Sequence, residues 1–309
     1  MTRRRILISL AVVGLILLLA PAAAHAWTPG THIFLGQSVL ARVTELPGAV
    51  GDLVRAFPFD FLYGNIAADT SFAKKYAPLH RHSHAWHVGQ EVFDFATTDA
   101  LRAFGLGYLC HLAADSVAHN YFVPRQLVLT TSTRSLGHTY WEGRAEMQLG
   151  QRFADEAREV ILLDHRPADA HLDRIISPTI FSVKTNRRLF KGMVHLTRTE
   201  AYQRSMRSLR GVSRWHLPTE VVERHLGLAY EYMMEMLATG HGAVRALDPN
   251  GEEALKRAKA MRRIAVRDGG WKDVRHLEEA ADAHFGLPDY QLIHWPAVAE
   301  KLLAERKAG

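Results

Sequence analysis

The 309-residue chain contains a single cysteine, Cys110. A disulfide framework is excluded, and any metal site must be built mainly from His, Asp and Glu. Apolar runs are scarce. After the first 26 residues no stretch is long and apolar enough to cross a bilayer, which takes about 20 residues. Alternating strand patterns are almost absent, and internal repeats and low-complexity tracts are missing. Neither sign of charge dominates: 38 Lys and Arg stand against 32 Asp and Glu. Leaving out Arg3, Arg4 and Arg5 reduces the basic count to 35. Such a balance gives no strong nucleic-acid signal. Hydrophobic residues make up 48% and charged residues 23%, an ordinary globular composition with enough chain for a sizeable core. Histidine is the residue in excess, with 18 in all.

Residues 1–26 read as an export signal. Arg3 to Arg5 form a basic start, Ile6 to Ala20 an apolar core, and Pro21 breaks it. Ala24-His25-Ala26 is a small-x-small cleavage site, so Trp27 becomes the mature N-terminus. The alternative is an uncleaved N-terminal anchor. The expected destination is the periplasm or the medium.

The remainder predicts an all-α fold. Helices are expected at His32 to Val43 with Thr31 as cap, at Ala49 to Phe57, at Leu62 to Ala68 and at His84 to Ala96. A long apolar helix, Asp99 to Phe122, should end at Pro124, followed by a loop with a short extended piece at Gln126 to Thr130. His138 to Leu163, Arg187 to Leu209 and Thr219 to Thr239 read as further helices, with Met233, Met234 and Met236 as core filler. Asp248-Pro249-Asn250-Gly251 is a turn, and amphipathic helices follow it to the end. The division is thus a catalytic domain over 27–247 and a helical extension over 248–309. Lys256, Arg257, Lys259, Arg262 and Arg263 form either a solvated helix face or a contact for anionic lipid.

The chemistry concentrates in a few spacings. His111, Asp115 and His119 stand at i, i+4 and i+8, along one stripe of an apolar helix. Burying three such groups without partners is costly. His138 and Glu142 repeat the i, i+4 spacing on the next helix. Inward-facing His and carboxylate groups on neighbouring helices can build a multinuclear metal cage, or a purely structural hydrogen-bond network. Asp69, the cluster His80, His82, His84 and His87, and His32 are further candidates upstream. Imidazole and carboxylate without thiolate suit zinc in a hydrolytic site. Trp86, Tyr140 and Trp141 either line such a site or pack, and Cys110 reads as a small buried hydrophobe.

These motifs resemble the zinc-dependent phospholipase C family, itself similar to the single-strand-specific fungal nucleases. The resemblance implies an all-α domain with three zinc ions. It implies Trp27, through its free amine and carbonyl, and His32 at one zinc. Asp69 and His84 (or His82) follow, with His111 and Asp115 as the His-x-x-x-Asp whose aspartate bridges two zincs. His138 and Glu142 match the family's His-x-x-x-Glu. His119 stands four residues after Asp115, where members with three zincs place the next His six residues on; the shorter gap resembles the anchor-cleaving branch. Asp69 and Glu142 are the residues expected to serve catalysis, Asp69 as ligand, base or both. The implied substrate is a phospholipid or other phosphodiester, met at a membrane surface. Competing expectations are a nuclease or nucleotidase on the same cage, and a non-catalytic metal- or lipid-binding envelope protein.

Overall fold

The structure is a computed structural model that describes residues 27–71, 81–130, 137–179, 181–197, 204 and 215–308. Among the described residues there are helices and turns but no strand, so the fold is all-α. The expected export segment lies outside the described residues. No described helix is long and apolar enough to cross a membrane.

Three helices open the fold: α1 (Pro29–Ala41), α2 (Gly48–Ala56) and α3 (Pro58–Ala67), the last running into a tight turn at Ala68–Thr70. The expected cap Thr31 sits inside α1, because Pro29, pre-set for helix, starts it two residues earlier. α4 (Trp86–Asp94) then leads to α5 (Asp99–Val117). Thr98 caps α5, its hydroxyl accepting from the Leu101 amide at 3.3 Å. From Ala103 to Val117 every residue of α5 is buried. A helix covered all round belongs at the centre of a domain, and α3, α4 and a later helix pack around it.

The crossing of α3 and α5 is made by glycine. A β-carbon at Gly64 would overlap the Phe104 carbonyl oxygen, and one at Gly107 would overlap that of Phe61. The two backbones can meet this closely only without side chains between them. That contact brings Asn65 of α3 beside His111 of α5.

Beyond Val117 the helix widens into a π-helical turn, Ala118–Phe122, and continues as α6 (Val123–Leu129). The expected stop at Pro124 and the extended piece after it are therefore corrected. Pro124 stands in the first turn of α6, where a missing N–H is tolerated. The helix expected over 138–163 is two helices, α7 (Gly137–Leu149) and α8 (Gln151–Leu162). Gly150 separates them at φ 94°, a conformation that ends a helix and favours glycine. α9 (Arg166–Ile175) and α10 (Val183–Thr197) follow; most of the expected stretch beyond Thr197 is outside the described residues.

α11 (Thr219–Thr239) packs on α5 and buries Met233, Met234 and Met236 as core. Three helices close the chain: α12 (Glu252–Arg267), α13 (Val274–Phe285) and α14 (Trp295–Ala308). α12 and α13 pack on α6. The start of α14 is held by Glu231 of α11, whose carboxylate accepts from the amides of His294 and Trp295 at 2.6 and 2.8 Å. The described residues 248–308 are thus folded onto the helices before them.

Candidate metal centre

Two groups of side chains are placed to hold metal ions: Asp69, His84, His111 and Asp115, and His119, His138 and Glu142. In each group one potential ligand atom per residue lies within 4.8 Å of the others.

The first group is fully buried. The turn after α3 supplies Asp69, the segment before α4 supplies His84, and successive turns of α5 supply His111 and Asp115. Nε2 of His84 lies 3.0 Å from Nε2 of His111, 3.3 Å from an Asp69 oxygen and 3.0 Å from Oδ2 of Asp115. Nε2 of His111 is 3.2 Å from the same Asp115 oxygen and 3.9 Å from Asp69. Ligands around a tetrahedral zinc at its usual bond lengths sit about 3.4 Å apart, so these spacings fit one. The tautomer of His111 fits as well. The Asn65 carbonyl can only accept, so Nδ1 of His111 donates to it at 2.8 Å, and Nε2 is the nitrogen left for a metal.

His32 completes this end of the site. Its Nε2 is 3.1 Å from Oδ1 of Asp115, and its ring stacks on His111 with centroids 4.0 Å apart. Asp115 therefore turns one oxygen to His32 and the other to His84 and His111. The charges within this cluster act on one another. Burial works against ionised Asp115, but His111 and the hydrogen bonds from His32 and His84 outweigh it and hold the carboxyl well below its usual range. Burial likewise opposes a charged His111, yet Asp115 and Asp69 raise its pKa. Burial, then the charge on His111, lowers that of His32.

The second group lies across the π-helical turn. Nε2 of His138 is 2.7 Å from the Glu142 carboxylate, and the His119 and His138 rings are 5.1 Å apart. Nδ1 of His119 donates to the Pro249 carbonyl at 2.5 Å, while its Nε2 is buried without a hydrogen-bond partner. Burial, opposed by Asp115, pushes the His119 pKa down to about 3, which keeps the ring neutral, as a metal ligand requires. His138 is 15% exposed on its side chain, whereas Glu142 is 1% exposed.

Of the remaining candidates, Trp27 is fully buried, stacks on Phe122 and donates its indole N–H to the Ala114 carbonyl at 3.0 Å. That bond sets it against the turn of α5 that carries Asp115. His82 stays outside the first group: it accepts from the His84 amide at 3.1 Å and positions it. His87 is exposed, and His80 lies outside the described residues. Trp86 donates to the Leu247 carbonyl at 2.8 Å, and Trp141 to the Thr130 hydroxyl at 2.7 Å, so both are structural. Burial pushes the Cys110 thiol far up, which makes it a poor nucleophile.

Two contributors escaped the sequence reading. The turn at 248–251 is tied to both groups: Pro249 to His119, and Asn250 through its amide N–H to the His84 carbonyl at 3.1 Å. Asn120 donates to the Asp248 carbonyl at 2.7 Å, and Gly251, at φ 56°, packs directly on the His119 main chain. The other is Glu146, one helical turn beyond Glu142. Burial, then the charge of Glu142, raises its pKa to about 7. A β-carbon at Gly30 would meet its carboxyl at 3.0 Å, so it lies against the start of α1. Its i, i+4 spacing from Glu142 was visible in the sequence; nothing there announced Pro249.

An all-helical domain around two buried histidine–carboxylate groups is a scaffold suited to holding metal ions. The family model for zinc-dependent phospholipase C matches residues 31–185, and the chain belongs to that family. No curated protein and no solved structure matches the chain. The match contains His32 and all seven residues of the two groups and stops before the turn that orients His119.

Proposed function

We propose that the protein is an exported phosphodiester hydrolase of the phospholipase C type, cleaving a phospholipid between glycerol and phosphate. The observation that supports this reading best is the family match over two buried clusters of metal-ligating side chains. Asp69, His84, His111 and Asp115 would hold zinc in the first cluster, and His119, His138 and Glu142 in the second. His32, with the amine and carbonyl of Trp27 freed by signal cleavage, would complete a third position, with Asp115 shared between two. Bound zinc would supply charge neutralisation at the phosphodiester and a water acidic enough to ionise near neutral pH. The protein's own residues fix imidazole orientation through Asn65 and Pro249. Asp69 would serve as ligand, as base, or as both. Residues 27–247 form the catalytic domain in this reading, with 248–309 as an extension.

The test is product analysis by mass spectrometry. Protein beginning at Trp27 and loaded with zinc is given mixed phospholipids and single-stranded DNA, with and without chelator. Chelator-sensitive diacylglycerol is the expected product. Phosphatidic acid would place the cut on the other side of the phosphate. Nucleotides alone would make it a nuclease, and intact substrates with zinc fully bound would make it a binding protein. One extra residue before Trp27 should lower zinc content, since an acylated nitrogen is no ligand; unchanged content would remove Trp27 from the site.

A further inference from the structure

The charge of this chain is segregated. Between residues 184 and 214 there are nine Lys and Arg and one carboxylate, Glu200. α10, at the start of that stretch, carries Lys184, Arg187, Arg188 and Lys191 with no acidic residue at all. Only Arg187 of these is neutralised: it pairs with Asp169 at 2.9 Å and Asp173 at 2.7 Å, and is nearly buried. Tyr63 locks the same carboxylate, donating to Asp169 at 2.6 Å. Lys184, Arg188 and Lys191 follow at i, i+4 and i+7, on one stripe of the helix. Together with Arg166 of α9, which is paired with Asp164 at 2.6 Å, and with Arg187 and its partners Asp169 and Asp173, they line an open cavity of about 370 Å³ in which cations outnumber carboxylates. Like charges at the spacing of Lys184, Arg188 and Lys191 repel.

Apolar side chains close to them in the sequence are exposed as well. Leu189 is 45% exposed within the basic stretch of α10, and Leu162 and Leu163, just before α9, are 62% and 42% exposed. Cations flanked by exposed leucines are the pattern of a surface that rests on an anionic bilayer, with cations at the headgroups and apolar side chains at the acyl boundary. The basic cluster of α12 is a weaker candidate, because Lys256 is already paired with Glu252 and Glu253.

We propose that the α9–α10 face, through Lys184, Arg188, Lys191 and the neighbouring leucines, docks the protein on anionic phospholipid membranes. None of these side chains belongs to the two metal groups, so the test needs no turnover. Zinc-loaded protein is sedimented with vesicles of phosphatidylcholine alone and of phosphatidylcholine with phosphatidylglycerol. Binding should require phosphatidylglycerol and fall steeply with salt. The variant Lys184→Glu, Arg188→Glu, Lys191→Glu should lose at least about tenfold in vesicle affinity. It should keep its zinc content, its helical circular dichroism and its action on a water-soluble phosphodiester. Leu162→Ser with Leu189→Ser should weaken binding without altering its salt dependence, and Arg257→Glu with Lys259→Glu should leave it unchanged. Full vesicle binding by the triple variant would overturn the proposal. So would release of the protein by millimolar inorganic phosphate at constant ionic strength, which would mark a free-anion site, or preference for single-stranded DNA over vesicles at equal salt. Loss of hydrolysis with vesicle binding intact would instead strike only at the enzyme reading.

Discussion

The two candidate metal groups are assembled in different ways. The first takes all four members from residues 69–115, buries them completely and fixes them around the glycine crossing of α3 and α5. The second draws on residues 119–142 but relies on Pro249, 130 positions away from His119, to aim one imidazole, and its His138 reaches solvent. A fully buried pocket whose members lie close together in the sequence is a place for structure and tight metal retention. A partly open pocket, whose ligands are steadied from a distant segment, is a place where substrate can enter and affinity can be tuned.

The largest effect separating the two should come from Asp115→Ala. It leaves His32, His84 and His111 facing one another in a buried space, and the metal-free protein should lose about 3–5 kcal/mol in urea unfolding. Stability close to the parent's would mean that the first group is not the rigid one. His138→Ala or Glu142→Gln should abolish phosphodiester cleavage while leaving helical content intact and metal-free stability within about 1 kcal/mol. Parent-like turnover in either would take the second group out of the active site.

Gly251→Ala is a finer probe. It strains a left-handed turn residue and forces a β-carbon onto the His119 main chain. Metal at the second group should bind about 10–100-fold more weakly, as read by chelator competition and cobalt absorption, with the first group unaffected. Equal weakening at both would show that the turn supports the whole core. The smallest effect should be Glu146→Gln. A carboxyl raised from about 4.5 to about 7 on folding costs nothing below its unfolded pKa and destabilises as pH rises through that interval. The parent metal-free protein should therefore lose stability between pH 4.5 and 7, by at most about 3 kcal/mol. Melting curves of the variant should lack that loss; parallel pH profiles would show that Glu146 ionises normally.

Much of this could be read before any coordinates. His111 with Asp115, and His138 with Glu142, were legible because i, i+4 spacing on an apolar helix puts costly groups on one face. Asp69 and His84 were visible only as two of several upstream candidates, since no periodicity links a turn to a segment fifteen residues later; the family resemblance was what paired them. The even stripe through His119 was half right. The widened turn at Ala118–Phe122 carries its ring to the second group, and a π-helical turn has no marker in residue type. Gly150 was the visible break within the expected 138–163 helix and went unread. Pro249 was legible as a turn but not as a partner of His119, because the sequence does not say which surface a turn will meet.

The reach from His119 to Pro249 also sets an order of events. Loop closure over 130 residues is slow, and contacts that far apart form after local ones. As the chain emerges from its N-terminal end, all four residues of the first group are present once Asp115 has passed, with only the main-chain tie from Asn250 to His84 still to come. The second pocket lacks its last support until Pro249 arrives. A chain cut anywhere between 186 and 247 would carry the whole family-matched region and still leave His119 without the carbonyl that aims it.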